Sequence, residues 1–334
     1  MLLTGLGSRA GIGDLSLAIA ADRGVDAREV ERALHHALEL GLATVDVHPG
    51  ETDAEKLAAS VVRTLRARDR VAITTTVPVV PLRPGGPPRR DVLPEQLPAR
   101  YVVDQVESTL RATRLDVLPL VQLPLNPFWR HSSAWAELAG TCGQLVREGK
   151  ALAFAARLET VSSDDDDTRA VVADPLFAAV SVVYSLCERS IEPLLPSIKV
   201  PVLARRPLAG GGLAGTLGPG VKLPPRDDRH ALDEPTLERM AVAAARLAPE
   251  LEQRPPAATS CDAAKAVLER GTRHRPEQLE ARTLAELALR YVMDRGALAL
   301  PRLHRHAHVL DTVAAASALP LTPALIARIL VEKS

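Results

Sequence analysis

The chain is predicted to fold as an α/β protein, a (β/α)8 TIM barrel with long loops at its C-terminal face and an extra C-terminal helix. Three observations predict it. Short apolar runs alternate with amphipathic segments, the order that parallel strands joined by crossover helices require. The length, 334 residues, falls in the range where such a barrel closes as one unit, so residues 1–334 are expected to form a single domain. The breaks in the rhythm follow strand-like runs, where a barrel carries its substrate loops.

The strand candidates are Leu2–Leu6, Thr44–Val47, Val71–Val77, Val117–Leu123, Leu152–Arg157, Ala179–Ser185, Pro201–Leu208 and Ala297–Leu303. Between them, DAREVERALHHALELG, RYVVDQVESTLRATR and SAWAELAGTCGQLVREG place apolar residues three and four apart, with Asp or Ser at the start and Gly near two of the ends. RTLAELALRYVMDRG reads the same way, and TPALIARILVEK is the extra C-terminal helix. The acidic run SSDDDD at 162–167 is most simply a solvated helix start. Two stretches break the pattern, VPLRPGGPPRRDVLPEQLPAR and the section from Gly218 to about Pro276; both are expected to rise from the C-terminal face.

Composition narrows the function classes. Hydrophobic residues make up 46% of the chain and charged residues 25%, an ordinary globular balance. With only two Trp, three Tyr and three Phe, the interior must be filled by Ala, Val and Leu. Acidic and basic residues balance at 41 each, which leaves no net field to steer nucleic acid or an acidic membrane, and neither partner is expected. No run approaches the roughly 20 apolar residues that span a bilayer, and no leader pattern opens the sequence, so a cytoplasmic protein is expected, as a monomer or homodimer. Cys142, Cys187 and Cys261 are widely spaced without a CxxC pair, against a disulfide framework or a structural zinc site. His304, His306 and His308 have no clear carboxylate partner, and no metal is expected.

Several blocks, in order, resemble the aldo-keto reductase family over nearly the whole chain: EVERALHHALELGLATVDVHPG, LPARYVVDQVESTLRATRLDVLPLVQLP, LVREGKALAF, PLFAAVSVVYSL, VLARRPLAGGGLAGTL and RTLAELALRYVM. The resemblance implies a barrel that holds an extended NADPH across its mouth without a G-x-G-x-x-G motif, and none is present. It also implies carbonyl reduction by an Asp, Tyr, Lys and His tetrad. The Asp falls on Asp46, but Glu51 stands at the Tyr position, Thr76 at the Lys position and Pro124 at the His position. No alignment slip restores them. None of the six lysines lies on the third strand, and Tyr101, Tyr184 and Tyr291 are all far from the second. Loss of a positioned general acid costs about 100- to 10,000-fold in rate.

The cofactor positions implied by the resemblance are mixed. Tyr184 matches the aromatic that stacks on nicotinamide, Gly210, Gly211 and Gly212 keep the turn that approaches the pyrophosphate, and Arg305 remains to meet a 2′-phosphate. Against these, Arg157, Glu159 and Ser181 replace the carboxamide-holding residues, Arg302 replaces a Gly, and Thr312 replaces an adenine-contacting Asn. The expectation is a barrel without a cofactor, with NADPH as the alternative.

Asp46, His48, Glu51, Arg157, Glu159 and Arg206 all map to strand C-termini or the loops after them, and form the candidate catalytic set. A tuned carboxylate or imidazole moves protons for cyclisation, elimination or dehydration without a hydride. Glu51 and His48 are the expected acid/base pair, with the arginines binding a substrate anion. Because side chains alternate along a strand, only one of Arg205 and Arg206 can face the interior, and Arg206 is expected there. Trp129, on the loop after the fourth strand, either covers an apolar substrate or packs the loop. The sequence reading is thus a repurposed enzyme acting on a small organic molecule, of the kind found in bacterial specialised metabolism. Its competitors are an NADPH-dependent carbonyl reductase with a non-standard proton donor and a non-catalytic binding or regulatory barrel.

Overall fold

A computed structural model describes residues 16–19, 27–47, 50–82, 91–217, 220–223, 229, 232–252, 283–302 and 305–330. Eight parallel strands are hydrogen-bonded in chain order: β1 (Ser16–Ile19), β2 (Thr44–Val47), β3 (Ala72–Thr76), β4 (Leu120–Leu125), β5 (Phe154–Leu158), β6 (Phe177–Val183), β7 (Val202–Arg205) and β8 (Leu298–Leu300). With β8 packed back beside β1, they form the expected (β/α)8 barrel. The first strand differs from expectation: the strand paired with β2 is Ser16–Ile19, and Leu2–Leu6 lies outside the described residues.

The helices follow their strands. They are α1 (Ala27–Glu39), α2 (Thr52–Thr64), α3 (Leu93–Gln96), α4 (Ala99–Thr113), α5 (Trp135–Arg147), α6 (Asp166–Val172), α7 (Glu234–Glu252), α8 (Leu284–Met293), α9 (His306–Ser317) and α10 (Pro323–Leu330). Asp165 caps α6 by accepting from the backbone N–H groups of Asp167 and Thr168, so the acidic run is a helix start. In α1 the apolar residues Val30, Ala33, Leu34, Ala37 and Leu38 are buried, the three- and four-residue spacing of a helix lying on a sheet. The helix α7 was not expected from the sequence, where its apolar positions sit inside a Pro- and charge-rich stretch.

Alternation along the strands sorts the interior. Leu120, Ala155, Ala179, Leu203, Leu298 and Leu300 pack together as the apolar plug inside the barrel. Towards the C-terminal ends, residues in the same inward phase turn polar: Asp46, Thr74, Thr76, Gln122, Arg157, Ser181 and Arg205, all buried. The outward phase, with Val45, Val121, Ala156, Val180 and Ala204, is buried under the helices. The fold therefore sets a charged floor on an apolar plug.

Candidate functional site

Asp46 is 4% exposed, more deeply buried than Arg157 and Arg205 above it. Thr74 donates its hydroxyl to Asp46 Oδ1 at 2.6 Å, and the Gln122 amide donates to the same oxygen. Burial pushes the Asp46 carboxyl above the usual carboxylate range, although Arg157, these two hydrogen bonds and Arg205 oppose it. Both hydrogen-bond partners are thus neutral, and the acid is held towards its protonated form.

Above it, two arginines grip one carboxylate. Arg157 Nε lies 3.2 Å from Glu159 Oε1, and Arg205 Nη1 lies 3.0 and 3.1 Å from the two Glu159 oxygens. Arg205 Nη2 also donates to the Leu158 carbonyl at 2.6 Å, and Arg157 Nη1 reaches Thr76 Oγ1 at 3.4 Å. Both arginine side chains are 7% exposed, whereas the Glu159 side chain is 58% exposed. Burial acts against the ionised Glu159, but Arg205 and Arg157 outweigh it and hold the carboxyl below its ordinary range. Burial and the like charge of Arg157 bring Arg205 down to about 10. Two guanidinium groups, one ionised carboxylate and one carboxyl held towards its protonated form therefore occupy the barrel mouth.

Glu159 also forms part of the wall of an open cleft of about 660 Å³, with Pro124, Leu125, Val79, Val92, Phe128 and Trp129. Trp129 is buried, 4% exposed. Gln96, Asn126, Thr160, Asp165 and Asp167 complete a lining that is half apolar and half polar, and a concave site of this size suits a small molecule.

Two expectations need correction, those for Arg206 and Tyr184. Arg206 does not face the interior: β7 ends at Arg205, which is in phase with the plug residue Leu203, and Arg206 is exposed with φ of 53°. The strand ends three residues before the expected Leu208, with the left-handed Arg206 directly after it, and Arg205 takes the inward place assigned to Arg206. Tyr184 is in the outward phase of β6, fully buried, and its hydroxyl donates to Glu192 at 2.9 Å; it offers no face to a nicotinamide. Tyr291 donates to the same Glu192 oxygen at 2.6 Å, so two of the three tyrosines serve a structural carboxylate. Thr312, at the expected adenine-contacting position, is buried and donates to the His308 carbonyl of its own helix.

The remaining assignments are placed as follows. Glu51 is half-buried at the start of α2, Arg305 is exposed before α9, and His48 and His304 lie outside the described residues. Arg302 is partly buried. Gly210 and Gly211 adopt φ of 69° and 113° in the turn after β7, and a Cβ on Gly212 would lie 2.5 Å from Met240 Cβ. Gly210 borders a cleft of about 250 Å³ that also receives Arg206, Arg229 and Arg239. His36 and His306 stack with ring centroids 4.1 Å apart, and no metal-binding cluster occurs among the described residues.

Sequence reasoning missed Thr74 and Gln122, whose strand phase alone marks them, and passed over Arg205 in favour of Arg206. It also missed Glu55, a buried carboxyl on α2 that Thr75 and Thr109 donate to and that burial pushes above its ordinary range.

The family model described as "Aldo/keto reductase family" matches residues 10–330. The chain belongs to the aldo-keto reductase family. Among solved structures, the glycerol dehydrogenase AKR11B4 from Gluconobacter oxydans superposes with a TM-score of 0.66 at 19% identity, over 95% of this chain and 90% of that one. The aldo-keto reductase AKR11C1 from Bacillus halodurans, in its holo form, gives 0.61 at 18% identity, over 95% and 91%. Comparison with curated protein sequences gives no significant match. No helix among the described residues is long and apolar enough to cross a membrane.

Membership implies NADPH, and the two ends of this aldo-keto reductase barrel answer differently. The nicotinamide end does not fit: Arg157, Glu159 and Arg205 fill the mouth with a closed ion-pair network, and Tyr184 is turned away. At the other end, the glycine turn and its arginine-lined cleft suit an anion.

Proposed function

We propose that this aldo-keto reductase barrel is an enzyme that performs acid/base chemistry, rather than hydride transfer, on a small organic molecule in the cleft over β4 and β5. The observation that carries this reading is the Arg157–Glu159–Arg205 network, built where the nicotinamide would lie while Glu51, Thr76 and Pro124 stand at the proton-relay positions. In this reading Glu51, with His48, moves the proton, and Asp46 is a carboxyl kept neutral by burial that donates a hydrogen bond or proton from below. The two arginines supply fixed positive charge for an oxyanion or enolate oxygen. Cyclisation, elimination and dehydration all need those parts and no cofactor.

A second reading is supported by family membership and by the arginine-lined cleft beside Gly210: carbonyl reduction with NADPH, its phosphates held by Arg206, Arg229 and Arg239. Calorimetric titration with NADPH separates the two. The first reading expects no saturable nicotinamide-dependent binding and no substrate-dependent loss of absorbance at the cofactor's reduced band. Saturable binding accompanied by such a loss establishes the second reading instead. Retention of full turnover of the native substrate by both Glu51→Gln and His48→Ala would remove them from the proton relay.

A further inference from the structure

We propose that the Glu159 side chain is an internal stand-in for the ligand: the Arg157–Arg205 pair is a binding site for a carboxylate with an apolar body, which enters the adjoining cleft by displacing Glu159. The inference rests on the proposed cleft as the substrate site and names the substrate class for it.

The asymmetry of burial is the first ground. Both guanidinium side chains are 7% exposed, yet the anion between them is 58% exposed and lies on the solvent side of the pair, on the cleft wall. A buried cation needs a counter-charge, but the need is met by any carboxylate in that position. Exchange of one carboxylate for another leaves the net charge of the cluster unchanged, so the main cost is the effective concentration of the tethered group, of millimolar order for a short tether.

The second ground is the geometry of the grip. Arg205 reaches both Glu159 oxygens through Nη1 alone, while its Nη2 is committed to the Leu158 carbonyl and its Nε is buried without a partner among the described residues. A carboxylate engages arginine best through two parallel hydrogen bonds. Glu159, anchored one residue beyond β5, does not achieve this, and an untethered carboxylate is free of that constraint. Ser181 Oγ, from the strand between those of the two arginines, is a further buried hydroxyl without a partner among the described residues.

The rest of the cleft selects the ligand's body. Val79, Val92, Leu125, Phe128 and Trp129 offer apolar surface next to Glu159, no lysine or arginine is part of the lining, and its other two carboxylates are already engaged, Asp165 by the backbone N–H groups of Asp167 and Thr168 and Asp167 by His131 at 2.6 Å. An aromatic or branched aliphatic monocarboxylate satisfies both halves.

The test is calorimetric titration of the full chain and of Glu159→Ala with benzoate, benzamide and inorganic phosphate. Removal of the internal competitor is expected to tighten benzoate binding by about tenfold or more, because the competent clamp is then always open. Benzamide, equal in shape but neutral, is expected to bind neither protein, and phosphate more weakly than benzoate. The double variant Glu159→Ala, Arg205→Met is expected to lose the gain. Equal benzoate affinity in Glu159→Ala and the unsubstituted chain overturns the proposal, as does equal binding of benzamide or tighter binding of phosphate. If Glu159→Ala does not fold, Glu159→Gln keeps the shape and serves in its place: benzoate should raise its Tm more than that of the unsubstituted chain, and an equal rise overturns the proposal. These readouts need neither turnover nor NADPH, so their failure is separate from failure of the acid/base reading.

Discussion

Thr74 and Asp46 are register partners on β3 and β2, and the 2.6 Å hydrogen bond between them runs inside the barrel, hydroxyl to carboxyl. The pair, with the Gln122 amide, holds a buried acid through neutral donors. It also leads to a pH-dependent prediction. Unfolded, Asp46 titrates near the ordinary value of about 3.9; folded, burial makes it hold its proton to higher pH. Below the unfolded value the two states bind the same proton. As pH rises through the window between the two values the unfolded chain releases it first, so stability falls and stays lower above the folded value. Asp46→Asn removes that decline. Its Tm should exceed that of the unsubstituted chain at pH 8 by about 2–4 °C more than at pH 4, by scanning calorimetry; a gap independent of pH contradicts a retained proton.

The neighbouring residues Arg205 and Arg206 should respond oppositely to removal. Arg205→Met leaves Glu159 with one partner and the Leu158 carbonyl with none from this side chain, at about 1–3 kcal/mol; the exposure of Glu159 keeps the loss below that of a fully buried pair. Arg206→Gly relieves a left-handed backbone at an exposed side chain, and should be neutral or stabilising by up to about 1 kcal/mol. Urea denaturation distinguishes them.

The contrast between these two residues also shows what the sequence carries. Repeated strand and helix patterns, with the ordered family blocks, made the barrel, the C-terminal helix α10 and the cap of α6 legible. Asp46, Arg157 and Glu159 were found at the mouth because strand ends are readable from apolar runs. The phase within β7 was not, since Pro201–Leu208 reads as one strand and nothing local says that Arg206 turns left-handed; that depends on how Ala209, Gly210 and Gly211 fold the next turn. Tyr184 was misassigned for the same reason: alignment gives a position, and one step of alternation turns the ring from the mouth to the helix layer. The Gln122 amide and Thr74 hydroxyl carry no pattern of their own.

Glu192 should prove to be a structural centre. It receives Tyr184 and Tyr291 on one oxygen, with Arg295 3.3 Å from the same atom and stacked 3.7 Å over the Tyr291 ring. Tyr291→Phe is expected to cost about 1 kcal/mol, and Glu192→Ala about 2–4 kcal/mol because it strands two phenols and a cation. A Glu192→Ala loss no larger than that of Tyr291→Phe, by chemical denaturation, contradicts the shared carboxylate.

Two glycines make a matched control for packing. A methyl at Gly212 meets Met240 at 2.5 Å, so Gly212→Ala should destabilise by about 1–3 kcal/mol. Gly140, inside α5, has open space and an ordinary backbone, and Gly140→Ala should stabilise by about 0.5–1 kcal/mol. Thermal unfolding of both variants gives the sign directly.

Arg157 Nη1 lies 3.4 Å from Thr76 Oγ1, and this spacing limits which side chains position 76 can accept. A lysine introduced at Thr76 would arrive beside a buried guanidinium with its counter-charge already shared. The two positions are therefore coupled, and a cation at 76 is tolerated only if Arg157 changes with it.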